Sequence, residues 1–319
     1  MKSLTAKQTI TAVAAVLTGL ALAAGPVQAG PLEREAAGMA DLSTQLSELS
    51  QAAMTAPEPA SKYLNMNDLL ALLRDSDPAV RKAALRSSKT LIANNRVYEL
   101  AMDMLRDQGE WPGIRLEAAR ALSYAAQYPK VQDVLAQTAR NNSEPVELRI
   151  MAYKALWSSA NGYSRVTQFL IDSVGLEKDP AVRRAVIWAM FDSTRNNKTR
   201  DLLTNLLRYR EEDEAARIEI IKSLYTGMTY QQTQDIVMAM INDPAETKPV
   251  KITALLSLSG VSGSRVQQFL EAVIRNAKDP DLRGAAVEAV SPSPDRLREY
   301  FHLSYMVTNG GVVNPIERE

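Results

Sequence analysis

The chain repeats one short pattern at an almost constant spacing, and this repetition limits its fold more than any other feature. A basic residue recurs at five intervals of 34 residues and a last interval of 32. These ruler residues are Arg81, Arg115, Arg149, Arg183, Arg217, Lys251 and Arg283. A fixed period of this length is typical of solenoids, whose units bury their apolar faces only by stacking on neighbours.

Apolar residues surround each ruler residue at helical spacing. The positions one before, three after and seven after it are apolar throughout, with Ser88 as the exception. These positions share one face of an α-helix, so we expect that face to form the core. The position six after the ruler is always Ala or Ser, for example Ala155 and Ala189. Such small residues let neighbouring helices approach closely.

A turn and an upstream apolar-periodic segment precede each ruler helix. Asp77, Glu144, Asp179 and Asp279 each stand directly before a proline. An acid at this place can cap a helix, and proline suits the first helical position. Each unit is therefore predicted to be a pair of antiparallel helices, and the chain to be all-α.

The pattern resembles the HEAT repeats, in particular the short HEAT-like repeats of phycobilisome lyases. Residues 77–85, 179–186 and 279–287 carry the resemblance, which covers about residues 64–306. It implies a right-handed, armadillo-like α-solenoid of about seven two-helix repeats with a 34-residue period. Tetratricopeptide repeats share the period, but they place large aromatics, Gly and Ala at other offsets and lack an Asp-Pro-x-x-Arg junction.

The resemblance also implies a structural role for the ruler arginines. In HEAT-like solenoids the Asp and Arg of successive turns bond across repeats as a ladder. Three pairs match this pattern, namely Asp77 with Arg81, Asp179 with Arg183 and Asp279 with Arg283. We therefore assign these arginines to the fold, with ligand binding as the alternative.

The first residues indicate export. Residues 1–29 combine Lys2 and Lys7, an apolar run and the small-x-small sequence that ends at Ala29, which predicts a cleaved secretory signal peptide. An uncleaved anchor helix is the alternative. We expect a periplasmic or secreted protein. Its lack of cysteine excludes disulfides and thiolate chemistry, and 37 basic residues against 37 acidic ones give no bulk charge for binding nucleic acid.

The remaining divisions follow from composition. Residues 30–63 are predicted to form an amphipathic helix and a linker, and the helix either caps the first repeat or binds a partner. Residues 64–306 form the solenoid, in which a final helix at 295–305 is expected to cap the last repeat. Residues 307–319 contain Asn-Gly-Gly and Asn-Pro and are expected to be irregular.

Few residues point to catalysis. His302 is the one histidine of the sequence, and it lies in the predicted terminal cap. The iron-binding His-Glu pairs of deoxyhypusine hydroxylase, a HEAT-like enzyme, are lacking, and so is a calcium loop. The acidic run 211–214 suits the start of a helix. We expect no catalytic residue, no cofactor and no metal.

The second helix of each unit carries a different pattern away from its core face. Positions five and eight after the ruler, here named the inner row, are basic in the early units and aromatic in the central ones. Second helices usually line the concave side of such a stack. The candidate partner-binding residues are Arg86, Arg120, Lys154, Trp157, Trp188, Phe191, Lys222 and Tyr225.

Three functions are compatible with these residues. A non-enzymatic scaffold would bind an extended, acidic protein segment, since Arg and Lys meet carboxylates and Trp and Tyr supply apolar area. A polysaccharide or cell-wall binder would stack sugar faces on the same aromatics. A carboxylate-based enzyme would need two acids that face each other. A fourth interpretation makes the aromatics fill space between helices.

Overall fold

The computed structural model describes residues 64–291 of the chain, except residues 161, 192, 210, 211, 260 and 262. The predicted signal peptide, the helix and linker at 30–63, the terminal cap and the tail lie outside the described residues. Everything described belongs to one compact unit that begins at Leu64.

The described residues contain α-helices, short 3-10 turns and no strand. The helices are α1 (Met66–Leu72), α2 (Pro78–Ser87), α3 (Asn95–Arg106), α4 (Pro112–Leu122), α5 (Pro129–Arg140), α6 (Val146–Ala155), α7 (Trp157–Ala160), α8 (Ser164–Leu176), α9 (Pro180–Ala189), α10 (Asn197–Tyr209), α11 (Glu214–Ser223), α12 (Gln231–Asn242), α13 (Lys248–Ser257), α14 (Ser264–Asn276) and α15 (Pro280–Val290). The all-α prediction is confirmed.

The helices form seven pairs within this region, and α7 is a single-turn addition after the third pair. The first helices are α1, α3, α5, α8, α10, α12 and α14, and each packs on the second helix that follows it. Each second helix also packs on the second helix of the next pair. Successive first helices are in looser contact. This consecutive packing is that of an α-solenoid, with the seven repeats that the period predicts.

The core lies where the helical spacing places it. The residues three after the ruler are buried in all seven repeats, and those six after it are buried in all but the first. Burial is lower in the first and last described repeats, for which only one neighbouring repeat is described. Val80 and Leu282 are half-buried, whereas their counterparts in the five central repeats are buried.

Three of the predicted acid caps are confirmed. The side chains of Asp77, Asp179 and Asp279 accept hydrogen bonds from the first backbone N–H groups of α2, α9 and α15. The prediction for Glu144 is wrong. Its side chain does not cap α6, which begins after Pro145 without a side-chain cap. Glu144 turns instead towards Arg115 of the preceding repeat.

The ladder between repeats exists, but its acids are glutamates rather than the predicted aspartates. Each ruler arginine of repeats one to five pairs with a glutamate in the turn of the next repeat. The glutamates are Glu110, Glu144, Glu177, Glu212 and Glu246. The aspartates are short and already hold the start of their own helix, so the longer glutamate reaches back to the previous repeat.

The pair of Arg115 and Glu144 shows how a buried rung of the ladder satisfies its polar groups. Two guanidinium nitrogens donate to the two carboxylate oxygens at 2.8 and 2.7 Å. Arg115 Nε donates to the carbonyl of Leu105 near the end of α3, at 3.0 Å. That carbonyl has no partner within its own helix. One side chain therefore joins both helices of its repeat to the next repeat.

Breaking this pair is expected to destabilise the whole stack. Glu144→Ala leaves the buried guanidinium of Arg115 without its carboxylate, which should cost about 3–5 kcal/mol of unfolding free energy in urea. Asp133→Ala, which breaks an exposed pair with Arg165, is the control and should cost about 1 kcal/mol or less. Equal losses for both variants would contradict a structural ladder.

The small position six after the ruler offers a second test. Ala189 is fully buried between second helices, so Ala189→Leu should overpack the stack and cost about 1–3 kcal/mol of unfolding free energy. Ser87 occupies the same position in the first repeat, where it is exposed. Ser87→Leu is therefore expected to leave the thermal midpoint nearly unchanged, and a comparable drop would show that the core face is misplaced.

Candidate functional site

The inner row runs along the second helices, which are the more closely packed helices of the stack. Because the repeats stack in register, each row residue lies beside its counterpart in the next repeat. Arg86 in α2 and Arg120 in α4 are consecutive members of the row. The row therefore brings together side chains that are far apart in sequence.

Arg86 and Arg120 flank one carboxylate at the start of the row. Arg86 Nε donates to Glu117 at 2.9 Å, and Arg120 Nε lies 3.6 Å from the other oxygen of Glu117. The Glu117 side chain is only 8% exposed, whereas that of Arg86 is 62% exposed. The acid thus lies beneath the cations and holds them in place.

These side chains line a cleft of about 320 Å³ between α2 and α4. The ammonium group of Lys89 lies 5.1 Å from the ring centre of Tyr124 at its edge, and Leu85 and Ala121 provide apolar surface. A cation over an aromatic face is attracted by the ring quadrupole. The cleft therefore offers oriented cationic groups beside a small apolar wall.

The predicted aromatic patch is not a surface. Trp157, Trp188 and Phe191 are all buried, and the expectation that they are exposed is wrong. The ring of Phe191 stacks on Trp157 at 5.4 Å and meets Trp188 edge-on at 5.5 Å. These rings fill the space between repeats three and four, as the space-filling interpretation holds.

The remaining candidate residues of the row, Lys154, Lys222 and Tyr225, are half-buried. Lys154 places its ammonium group 5.1 Å from the ring centre of Trp188, so the buried indole orients an accessible cation. Lys222 lies further along the row, and the hydroxyl of Tyr225 donates to the carbonyl of Ser259 in the next repeat at 3.4 Å. The structure thus brings the basic candidates onto one face and removes the large aromatics from it.

A polar cluster that the sequence analysis missed lies at the turn before α9. Glu177 is buried and accepts from Arg149 of the ladder and from the hydroxyl of Tyr153 at 2.6 Å. Burial raises the pKa of Tyr153 to about 12, and the hydrogen bond to Glu177 adds to this shift. A sequence signal existed for these acids, because glutamate stands one position before the cap position at Glu110 and Glu144 and in two later repeats.

The described residues hold no group of three or more His, Cys, Asp or Glu side chains that could bind a metal ion. Within residues 64–291, no helix combines the length and the apolar character needed to cross a bilayer.

The shifted pKa of Tyr153 makes the stability dependent on pH in the alkaline range. Its neutral form is favoured in the fold, so its contribution is present below pH 10 and is lost as the pH rises towards 12. The difference in unfolding free energy between the parent and Tyr153→Phe should shrink by roughly 2–3 kcal/mol over that interval. Urea titrations at several pH values measure it, with Tyr209→Phe as the exposed control. A constant difference would contradict the raised pKa of Tyr153.

Comparison with known proteins supports the repeat architecture. The family model for HEAT repeats matches residues 66–146 and 200–291, which is more than half of the chain. No curated protein matches the chain.

Three solved structures are similar to the chain at low identity. The Escherichia coli protein YibA is 18% identical, covers 74% of this chain and 99% of its own, and has a TM-score of 0.44. The CpcE–CpcF complex of phycocyanin lyase from Nostoc is 16% identical, with coverages of 78% and 98% and a TM-score of 0.43. Human deoxyhypusine hydroxylase is 15% identical, with coverages of 89% and 95% and a TM-score of 0.35.

Proposed function

Because the chain belongs to the HEAT-repeat family, we propose that it is an exported, non-enzymatic scaffold that binds an extended acidic segment of another protein along the inner row. Stacked helical repeats supply extended surfaces of this kind, and the family match supports a role in protein interaction. The proposal of an acidic partner rests on one observation: Arg86 in the row is exposed, whereas its carboxylate partner Glu117 is buried.

The order of charges decides what an approaching partner meets. In repeats one to five the row contains Arg86, Lys89, Arg120, Lys154 and Lys222. Glu117 and Glu219, which stand three residues before Arg120 and Lys222 on the same helices, are buried and half-buried. A partner therefore meets mainly positive groups, and long-range attraction would speed its association.

Arg86 illustrates how a partner carboxylate is accommodated. Its Nε binds Glu117, and a guanidinium carries five N–H donors in a planar fork. Since the side chain is mostly exposed, the rest of this fork can meet a second carboxylate from outside. The buried acid would then preorganise the arginine, which reduces the entropy lost on binding.

The spacing of the row indicates the form of the partner. Packed helices lie about 8–10 Å apart, so the row cations of repeats one to three recur at about that distance. An extended chain advances about 3.3 Å per residue. An acidic residue at every third position of the partner would therefore meet one repeat after another.

The buried aromatics weaken the polysaccharide alternative on this face. Trp157, Trp188 and Phe191 would need exposed ring faces to stack on sugars, and all three are covered by protein. Their contribution to the proposed function is indirect, because Trp188 orients Lys154.

The carboxylate-based enzyme is also disfavoured within the described row. Glu117 lies in α4 and Glu219 in α11, and the second helices α6 and α9 lie between them. Two acids must face each other across a substrate to act as an acid–base pair. The proposal is therefore non-enzymatic.

Export is the part of the proposal that rests on residues 1–29 alone. We propose that this segment is removed and that the mature protein acts in the periplasm or outside the cell. Cell fractionation with N-terminal sequencing of the purified protein tests this step. A mature chain that starts at Gly30 supports it, and a chain that retains residues 1–29 in the cytoplasm contradicts it.

Binding itself is tested with defined peptides. The probe is a fluorescent peptide with Glu at every third position, and the comparison peptide has the same composition with its Glu residues clustered at one end. We expect tighter binding of the periodic peptide and affinity that falls with salt. Replacing Arg86, Lys89 and Arg120 together with Gln should lower the affinity about tenfold or more, which corresponds to about 1.4 kcal/mol.

The control for this triple variant changes the same charge elsewhere. Arg106, Lys130 and Arg275 lie on first helices and are exposed. Their joint replacement with Gln should leave the affinity for the periodic peptide almost unchanged. Equal affinities of both triple variants, or binding that ignores salt, would contradict a role of the inner row.

A further inference from the structure

Trp111 departs from a pattern that four of the other six repeats follow. It occupies the N-cap position of α4, where Asp77, Asp179, Asp213 and Asp279 cap the corresponding helices of other repeats with their carboxylates. The Trp111 side chain makes no capping hydrogen bond. It also adds little to the core, because the residue is 53% exposed. Neither helix capping nor core packing therefore accounts for a tryptophan here.

The surroundings of Trp111 hold its ring without covering it. The ammonium group of Lys82 in α2 lies 5.8 Å from the ring centre, over one face of the indole. Gly113 lies beside both groups, and a Cβ at this position would come within 3.4 Å of Lys82 Nζ.

Trp111 lines an open cleft of about 700 Å³ between the turns of repeats one and two. Arg81 and Glu110 also line this cleft, and they neutralise each other through two hydrogen bonds of 2.7 and 3.1 Å. Asp77 and Gln108 supply further polar groups. The helix cap uses one carboxylate oxygen of Asp77, and Gln108 carries an amide that both donates and accepts.

This combination fits a neutral, polyhydroxylated ligand. An indole face attracts the slightly positive C–H groups on one side of a sugar ring, by the same quadrupole that attracts cations. Hydroxyl groups at the ring edge need donors and acceptors together, which an amide and a carboxylate provide. An acidic peptide would meet the carboxylate of Asp77, so this cleft does not share the partner of the inner row. We propose that the cleft at Trp111 is an oligosaccharide-binding site.

The site is independent of the inner row. The polysaccharide alternative for the inner row relied on Trp157, which is buried. The structure describes all three tryptophans of the sequence, and Trp111 is the exposed one among them. Its cleft lies at the turns before α2 and α4, and the basic cleft lies beside the bodies of those helices. Failure of one proposal therefore leaves the other standing.

The test uses three soluble tetrasaccharides, built from β-1,4-linked glucose, β-1,4-linked N-acetylglucosamine and α-1,4-linked glucose. Ligand-observed NMR measures the affinity of the intact chain for each. We expect at least one to bind and to protect the exposed tryptophan from quenching by acrylamide. Trp111→Ala and Gln108→Ala should each weaken that binding, by about tenfold for the tryptophan.

Trp111→Asp separates binding from folding. It restores the residue type that caps the corresponding helices, so the thermal midpoint should stay equal or rise while sugar binding is lost. The triple Gln variant of Arg86, Lys89 and Arg120 should bind the sugar as the parent does. A Trp111→Asp variant that binds like the parent would overturn the proposal. The proposal would also be overturned if none of the three sugars bound, whether or not an oligoproline peptide bound instead.

Discussion

The buried pair between a ruler arginine and the glutamate of the next repeat is the interaction on which the rest of the structure depends. Arg115 binds Glu144 with two hydrogen bonds and also donates a hydrogen bond to the carbonyl of Leu105 near the end of α3. A buried charge that loses its partner is expensive, so neighbouring repeats cannot slide past each other while the pairs persist. The ladder thus sets the register of the stack and, through it, the position of every surface residue.

The fixed register of the repeats brings side chains from different repeats next to each other. Along the inner row, Arg86 reaches Glu117, Lys154 reaches Trp188 and Trp157 reaches Phe191, each in the following repeat. The same contacts that hold neighbouring repeats together also orient the cations at the surface. A partner that binds several repeats would therefore meet groups that are already in place, which lowers the entropic cost of association.

The two proposed surfaces differ in chemistry because their charged groups are arranged differently. At the cleft of Trp111, the charges of Arg81 and Glu110 neutralise each other, and an aromatic ring is the main feature. In the inner row, the acids lie deep and the cations lie outside. One fold thus offers a neutral, aromatic cleft at its turns and a positive face along its second helices.

The sequence by itself determined what is local or periodic. The 34-residue period predicted the paired helices, the apolar spacing predicted the core face, and Asp-Pro predicted three caps, because each depends on residues within one turn or one helix. The basic half of the candidate row was also found in this way. Only the tertiary structure decided that Glu144 pairs with Arg115 and that Trp157 is covered while Trp111 is not. These outcomes depend on how side chains of adjacent repeats interdigitate, and spacing within one helix does not show how much of a residue its neighbour covers.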